Sequence, residues 1–199
     1  MNTERPTSRM MNGRGLIPLA VGICLSLLAT ASMAWTFEAE VVGVSDGDTV
    51  KIVTPRPCHP LRAPCKAGKV QYKVRLAQID TPEKKQPWGD KARQALADRV
   101  FRKRVEVEVM DVDRYGRLVA NLFLPKEEAR DEAARWVNAD MVQSGHAWVY
   151  RKYLVDESLL KLEEAARKAG RGLWGLPEAK RQPPWEWRAE KRKQKKEAR

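Results

Sequence analysis

Five short stretches of the chain have the apolar and polar pattern of half-buried β-strands. They are rich in β-branched side chains or alternate apolar with polar positions. Two of the gaps between them, residues 45–48 and 113–117, combine aspartate with glycine, as tight turns do. The pattern therefore predicts five strands, over residues 37–44, 49–53, 70–76, 105–109 and 118–124.

Three further stretches repeat apolar residues at helical spacing. They are Trp88, Ala92, Leu96 and Val100; Ala133, Val137 and Met141; and Leu159, Leu162, Ala166 and Ala169. One predicted helix lies between the third and fourth strands, and two follow the fifth. This order predicts an α+β fold over residues 35–176, a five-stranded OB-fold-type β-barrel with three flanking helices. Barrels of this type present a curved face and loops that suit oligonucleotides.

Both ends of the chain differ in composition from this predicted barrel. In the N-terminal segment 1–34, residues 15–34 are uncharged, follow arginines and end in small residues, which is the order of a secretory signal peptide. Cleavage after Ala31 or Ala34 would give a secreted or periplasmic protein. The alternative is an uncleaved anchor facing outside the cytoplasm, because about 20 uncharged residues can cross a bilayer. Residues 177–199 are basic and lose the apolar periodicity, which predicts a disordered tail.

Export changes the interpretation of the cysteines. Cys58 and Cys65 would remain in the mature chain, in a proline-containing loop with six residues between them. In an oxidising compartment such a pair is expected to form a disulfide. A metal site that uses His59 is the alternative, but two thiols and one imidazole lack the fourth ligand of a zinc site.

The chain is strongly basic, with 38 Lys and Arg against 26 Asp and Glu and a formal net charge of +12 over 199 residues. This excess indicates a polyanionic partner, either nucleic acid or an anionic membrane surface. The tail shares the charge with the barrel, since residues 178–199 hold nine Lys and Arg against four Glu. At 32% charged residues the chain is not a multispan membrane protein, so only the N-terminal segment would meet a membrane. No obligate protein partner is indicated, and we expect a monomer.

Three short segments contain the side chains that could carry chemistry. The first, residues 46–49, is explained by a hairpin turn alone. In the second, Arg75 is followed five residues later by Asp80, and Asp80 and Glu83 have the N-cap and N3 spacing of a capping box. In the third, a turn explains the aspartate and the glycine but not the second arginine, Arg117. Each segment by itself therefore has a largely structural explanation.

Together, the three segments supply the groups that phosphodiester hydrolysis requires. The reaction needs charge neutralisation at the phosphoryl oxygens, an activated water and help for the departing oxygen. Arg75 and Arg117 are permanently charged, forked donors that match phosphate geometry. Asp48 and Asp80 are hard oxygen ligands of the kind that calcium prefers. Glu83 is then left to order or deprotonate the water.

At these positions the chain resembles the staphylococcal nuclease family, also called thermonucleases. The family pattern is Asp-Gly-Asp-Thr, then an arginine followed five residues later by Asp-Thr-Pro-Glu, then Asp-(Lys/Arg)-Tyr-Gly-Arg. This chain has all three motifs in that order and with those spacings. The resemblance spans about residues 37–174.

The resemblance implies roles for the acidic motif residues. Asp48 and Asp80 are similar to the family's calcium-binding carboxylates, and the Thr81 carbonyl is similar to a further ligand. Glu83 resembles the residue that activates or orients the attacking water. The implied cofactor is therefore Ca²⁺.

It also implies roles for residues that contact the substrate. Arg75 and Arg117 resemble the two phosphate-binding arginines that stabilise the five-coordinate transition state. Tyr115 matches a tyrosine that lines the nucleotide pocket. The family's second pocket tyrosine falls on Trp148, which keeps a ring but lacks the hydroxyl, so Trp148 is not assigned to the pocket.

The implied function is that of an exported, calcium-dependent nuclease that hydrolyses DNA and RNA and leaves 3′-phosphate ends. Little base preference is expected, because arginines and a metal contact the phosphate that all nucleotides share. The main alternative is a noncatalytic OB-fold module that binds nucleic acid, but none of the family's acids or arginines is missing here. A third interpretation is an envelope-anchored protein whose basic tail serves adhesion or assembly.

Overall fold

A closed β-barrel forms the centre of the computed structural model, which describes residues 35–55 and 69–198. Five strands form the barrel in the order β1-β2-β3-β6-β5, and neighbours are antiparallel except β3 and β6, which run parallel. The short strands β4 and β7 pair separately. This confirms the prediction of a five-stranded OB-fold-type barrel. The strand bounds are β1 Trp35–Asp46, β2 Thr49–Thr54, β3 Val70–Leu76, β4 Ile79–Asp80, β5 Arg104–Val112, β6 Leu118–Phe123 and β7 Trp148–Val149.

The alternating pattern of the strands arises because one side of each faces the barrel interior. In β2, Val50 and Ile52 are fully buried while Lys51 between them is exposed. Val105 and Val107 of β5 are buried in the same way. Burying such a side chain stabilises a fold by about 1.5–3 kcal/mol. The period of two in the sequence therefore reports the inside and outside of the barrel.

The three predicted helices are present as α1 (Gly89–Val100), α2 (Val137–Gln143) and α3 (Ser158–Lys168). The stripe on α1 is buried as expected, since Ala92, Leu96 and Val100 have no exposed surface. The second predicted helix is divided, because a separate 3-10 turn (Ala133–Arg135) precedes α2. The sequence pattern also did not indicate β4 and β7, which have only two residues each.

The C-terminal segment differs from its prediction. Residues 177–199 are predicted to be disordered, but a fourth helix, α4 (Pro184–Glu197), occupies most of this range. Trp185 anchors its first turn, with its ring stacked on that of Tyr150 at 5.6 Å between centroids and an interplanar angle of 3°. The prediction of disorder is wrong here. Contacts at its N-terminal end hold α4 in place, and because α4 lacks an apolar stripe, its sequence does not show the helical period.

Two predictions lie outside the described residues. They are the export segment, residues 1–34, and the disulfide between Cys58 and Cys65 with its alternative, a metal site at His59. Within the part of the chain that the structure describes, no helix is both long enough and apolar enough to cross a membrane.

Candidate active site

Two buried carboxylates and one arginine meet beside the β1–β2 hairpin. Asp48 directly precedes Thr49, which pairs with Arg75 across β2 and β3. Arg75 Nη1 lies 2.8 Å from Asp48 Oδ2, and Arg75 Nη2 lies 2.7 Å from Asp80 Oδ1. Both carboxylates are almost completely buried. One guanidinium therefore joins two of the predicted acids from separate segments.

The position of Asp80 is set by the small β4–β7 sheet, in which it lies opposite Trp148. The chain enters β4 through Gln78, which has a φ of 65°, a left-handed conformation that is uncommon for a residue with a side chain. The side chain of Gln78 stabilises this turn. Its Oε1 accepts hydrogen bonds from the backbone N–H groups of Val155 and Asp156 at 2.8 and 2.7 Å. Residues far along the chain thereby support the turn that leads into Asp80.

Glu83 lies in the loop between β4 and α1, and its side chain is 40% exposed. Because α1 begins only at Gly89, the interpretation of Asp80 and Glu83 as a capping box is wrong. The loop is closed by the Gln86 N–H, which donates to the Glu83 carbonyl at 2.7 Å. A Cβ atom at Gly89 would collide with that carbonyl oxygen, so this packing requires glycine. Glu83 is thus held near Asp80 while its carboxylate stays accessible to water.

The acidic side of this cluster is only partly neutralised. Burial raises the pKa of Asp48 to about 6, although Arg75 opposes this shift, and the neighbouring Asp46 adds to it. A raised carboxyl pKa means that the site destabilises the charged form. A cation bound between the acids would reverse that effect.

The oxygen donors at this point are suited to a hard cation. The Thr81 backbone N–H lies 3.4 Å from Asp48 Oδ2, which brings the Thr81 main chain next to the carboxylate. Calcium is held by carboxylate and carbonyl oxygens. Asp48, Asp80 and the Thr81 carbonyl therefore fit this ion in donor type. Among residues 35–55 and 69–198, no three His, Cys, Asp or Glu side chains are already grouped as a metal site, and the two aspartates pair with arginine.

Arg117 directly precedes β6, the strand that pairs with the strand of Arg75. Val119 is opposite Arg75 in the parallel β3–β6 pair, so Arg117, two residues earlier, projects from the same outer face of the sheet. Strand rise and spacing place their α-carbons roughly 8 Å apart. The Nε atom of Arg117 lies 2.7 Å from Asp113 Oδ2. Alternation continued from β6 therefore puts both predicted arginines on one side of the barrel, and Arg117 is paired to its own turn.

Asp113 builds the turn that presents Arg117 and Tyr115. Its Oδ1 accepts hydrogen bonds from the backbone N–H groups of Tyr115 and Arg117 at 2.9 and 3.0 Å. Partial burial raises the pKa of Asp113, but its hydrogen bonds with Arg117 and Tyr115 lower it by more, so the net shift is downward. Tyr115 is 69% exposed, and the guanidinium groups of Arg114 and Arg117 lie over its ring. An exposed ring with cations close to it can stack on a nucleotide.

The ring at the second pocket position is covered in this structure. Trp148 is 7% exposed and meets Trp174 edge-on at 4.4 Å and Trp185 edge-on at 5.8 Å between ring centroids. Trp185 belongs to α4. The C-terminal segment therefore covers the ring that stands in place of the family's second pocket tyrosine.

Arg188 of α4 reaches the carboxylates, although no sequence motif identifies it. Its Nη1 lies 3.1 Å from Asp80 Oδ1 and 2.7 Å from Glu83 Oε1, and its Nη2 lies 2.6 Å from Asp80 Oδ2. Burial lowers the pKa of Arg188, but these two acids raise it by more, well above its ordinary value. The one indirect signal in the sequence is that Trp185 and Arg188 are three residues apart, which places them on one face of a helix.

Fold and site together define a class of protein: an α+β protein whose closed OB-type barrel carries a cluster of acids and arginines and, in the turn before β6, an exposed tyrosine. The sequence profile described as "Staphylococcal nuclease homologue" matches residues 73–175. This chain therefore belongs to the staphylococcal nuclease family, and the resemblance described above is confirmed. Asp48 and Arg188 lie outside the matched segment, whereas Arg75, Glu83 and Arg117 lie inside it.

Relatives support this membership over most of the chain. The Escherichia coli protein named ParB is 41% identical over 184 residues, which cover 90% of this chain and 96% of that protein. A protein named micrococcal nuclease from Shigella flexneri is 39% identical over 166 residues, 81% of this chain and 87% of that protein. An uncharacterized endonuclease from Escherichia coli O157:H7 is 36% identical over 154 residues, 77% of this chain and 86% of that protein.

Proposed function

We propose that this protein is an exported, calcium-dependent nuclease that hydrolyses DNA and RNA with little base preference and leaves 3′-phosphate ends. One observation carries the proposal: Asp48 and Asp80 meet on the guanidinium of Arg75, and Glu83 lies beside them. Membership of a nuclease family supports the reaction class. Family membership alone does not specify the metal, the product ends or export, and these are part of the proposal.

The acidic residues would hold the metal and prepare the water. Asp48, Asp80 and the Thr81 carbonyl would bind Ca²⁺. When bound, calcium neutralises charge on the phosphoryl group and lowers the pKa of water. Glu83 would orient the attacking water or accept its proton, because its carboxylate is more exposed than the two aspartates and adjoins them.

The arginines and Tyr115 would hold the nucleotide. Arg117 directly precedes β6, which pairs with β3, and strand alternation puts it on the outer face that carries Arg75. Their forked donors would bind one phosphate from two sides. Tyr115 would stack on the sugar or base next to it. Contacts of this kind recognise features that every nucleotide shares, and they predict cleavage with little sequence preference.

The test is cleavage of single-stranded DNA and of RNA in calcium chloride or in chelator. Removing Ca²⁺, Glu83→Gln and Arg117→Ala should each lower the rate by about 100-fold or more, the size expected when one catalytic group is lost. Glu127→Gln and Arg104→Ala change exposed residues of the same type outside the site and serve as matched controls. If the rate is unchanged by chelator and by both site substitutions, the proposal is wrong.

Two further measurements test the finer parts of the proposal. Products with 3′-phosphate carry free 5′-hydroxyls, so polynucleotide kinase should label them without prior phosphatase treatment. Mass spectrometry of the N-terminus after cell fractionation should find a chain that begins after Ala31 or Ala34 outside the cytoplasm. An uncleaved chain in the membrane fraction would favour the anchored alternative.

A further inference from the structure

The carboxylates of the proposed metal site are already occupied by a positive group from the same chain. Arg188 forms ion pairs with Asp80 at 2.6 Å and with Glu83 at 2.7 Å. Asp80 is fully buried, whereas Arg188 retains 31% of its side-chain exposure. The guanidinium therefore covers the solvent side of the acid pair.

Counting the lone pairs of Asp80 shows what this contact excludes. Its Oδ1 accepts hydrogen bonds from Arg75 Nη2 and from Arg188 Nη1, and its Oδ2 accepts one from Arg188 Nη2. A carboxylate offers about four acceptor positions, two on each oxygen. Oδ1 is thus saturated and Oδ2 keeps one position, while the Arg188 guanidinium lies across both oxygens. A cation that binds both oxygens of Asp80 must displace Arg188.

The segment that carries Arg188 is attached at a few points near its start. Trp185 stacks on Tyr150, and the Gln182 carbonyl accepts a hydrogen bond from Gln86 Nε2 at 2.5 Å. In contrast, residues 191–198 are exposed throughout. An element with few buried contacts can detach without unfolding the barrel.

We propose that α4 is an autoinhibitory strap, in which Arg188 occupies the place of the metal and Trp185 covers the ring of Trp148. Calcium and the helix compete for the same acids, so the strap must leave before the site can be loaded. This inference rests on the proposed function, because it assumes that Asp80 and Glu83 belong to the calcium site.

The first experiment is calorimetric titration of the mature chain with calcium chloride. Arg188→Gln removes the competing charge and should bind calcium about tenfold more tightly than the wild type, since charge-assisted pairs are the strong ones. Arg192→Gln removes the same charge from an exposed position one turn further along α4 and should bind like the wild type. Trp185→Leu loosens the anchor without touching the acids, and it should also bind calcium more tightly.

The second experiment follows the strap itself by hydrogen exchange of residues 184–190. In the wild type and in Arg192→Gln, this segment should exchange faster in calcium chloride than in chelator. In Arg188→Gln it should exchange fast in both conditions. Neither measurement depends on nuclease activity.

The outcomes separate the two proposals. If the wild type binds calcium and Arg188→Gln and Trp185→Leu bind it no more tightly, the strap is wrong while the proposed function stands. An Arg188→Gln variant that cleaves more slowly than the wild type at saturating calcium also overturns it, because Arg188 would then serve the reaction. If neither the wild type nor Arg188→Gln binds calcium, the proposed function fails, and the strap with it.

Discussion

Replacing Gly47 by alanine tests whether the β1–β2 hairpin must lie as close to Thr81 as it does. A Cβ atom at Gly47 would lie 2.7 Å from Thr81 Oγ1, 2.9 Å from Thr81 Cβ and 2.8 Å from Ala92 Cβ. Non-bonded carbon atoms normally stay about 3.5–4.0 Å apart. The alanine would therefore push the hairpin away from Thr81 and from α1.

The size of the effect follows from these distances. Relief of the shortest contacts requires a shift of roughly 0.7 Å. Asp48 is the next residue, so its carboxylate would move relative to Asp80 by a similar amount. A misplacement on the order of 1 Å can lower a rate by about 100-fold. We therefore expect Gly47→Ala to lose about 10- to 100-fold in kcat/KM and, through overpacking, about 1–3 kcal/mol in the free energy of unfolding.

The assay is cleavage of a labelled single-stranded DNA oligonucleotide at saturating calcium, together with urea unfolding. Gly43→Ala on the same strand is the matched control, because its Cβ atom would meet only the Lys51 side chain at 3.6 Å or more. That is ordinary van der Waals contact, so the control should stay within about 0.5 kcal/mol of the wild type.

A second substitution shows whether the contact itself is responsible. Thr81→Ala keeps the backbone carbonyl proposed as a metal ligand and removes the Oγ1 atom nearest to the new methyl group. The double variant Gly47→Ala/Thr81→Ala should recover part of the lost activity. Wild-type activity and stability in Gly47→Ala alone would refute the reasoning.

Three further predictions concern pH and buried polar groups. Because burial raises the pKa of Asp48 to about 6, the cleavage rate at limiting calcium should rise with pH through this value, and Asp46→Asn should move the rise to lower pH. Burial lowers the pKa of His146 from 6.5 to about 4, so the unfolded chain takes up the proton first. Stability should therefore fall by about 1–2 kcal/mol, after allowance for solvent screening, as the pH drops through this window, and urea unfolding of His146→Gln should show a smaller fall. Asn138→Leu leaves the buried Leu122 N–H and Ala77 carbonyl without their partner and should cost about 2–5 kcal/mol in thermal unfolding.

Each of these has a contrary outcome. A pH profile that Asp46→Asn does not move would show that Asp48 does not control the rate. Equal loss of stability on acidification in the wild type and His146→Gln would show that His146 does not cause the loss. Asp48 changes the free energy of unfolding in the opposite direction, but it does so in both proteins. An Asn138→Leu variant as stable as the wild type would show that these backbone groups find other partners.

The barrel and three helices could be predicted because burial imposes a period. Ile52 is fully buried next to the exposed Lys51, and Leu96 is fully buried with Ala92 and Val100, four residues to either side. Two-residue strands such as β4 are too short to show any period, and their pairing depends on β7, far away in the sequence. Helix α4 has no apolar stripe, and its placement depends on the ring of Tyr150.

The candidate site, too, could be predicted from the sequence only in part. The motifs indicated which acids and arginines to consider, and the structure joins Asp48, Arg75, Asp80 and Glu83 in one cluster. The pairings inside the cluster depend on strand register and on how the loops pack, which residue types alone do not specify. For this reason Arg188, one arginine among many in a basic segment, could not be distinguished from its neighbours.

The charges in the cluster explain why Arg188 would pair with the acids before calcium binds, and why Arg117 would pair with the substrate afterwards. Asp48, Asp80 and Glu83 are three acids, and Arg75 and Arg188 are two cations, so the cluster in this structure keeps one negative charge in excess. If calcium replaced Arg188, its second positive charge would neutralise that excess. Arg117 projects from the same outer face as Arg75 and would then be the cation left for the phosphate of the substrate. Replacing Arg188 by calcium would therefore remove the net negative charge of the cluster, which would otherwise repel the phosphate of the substrate.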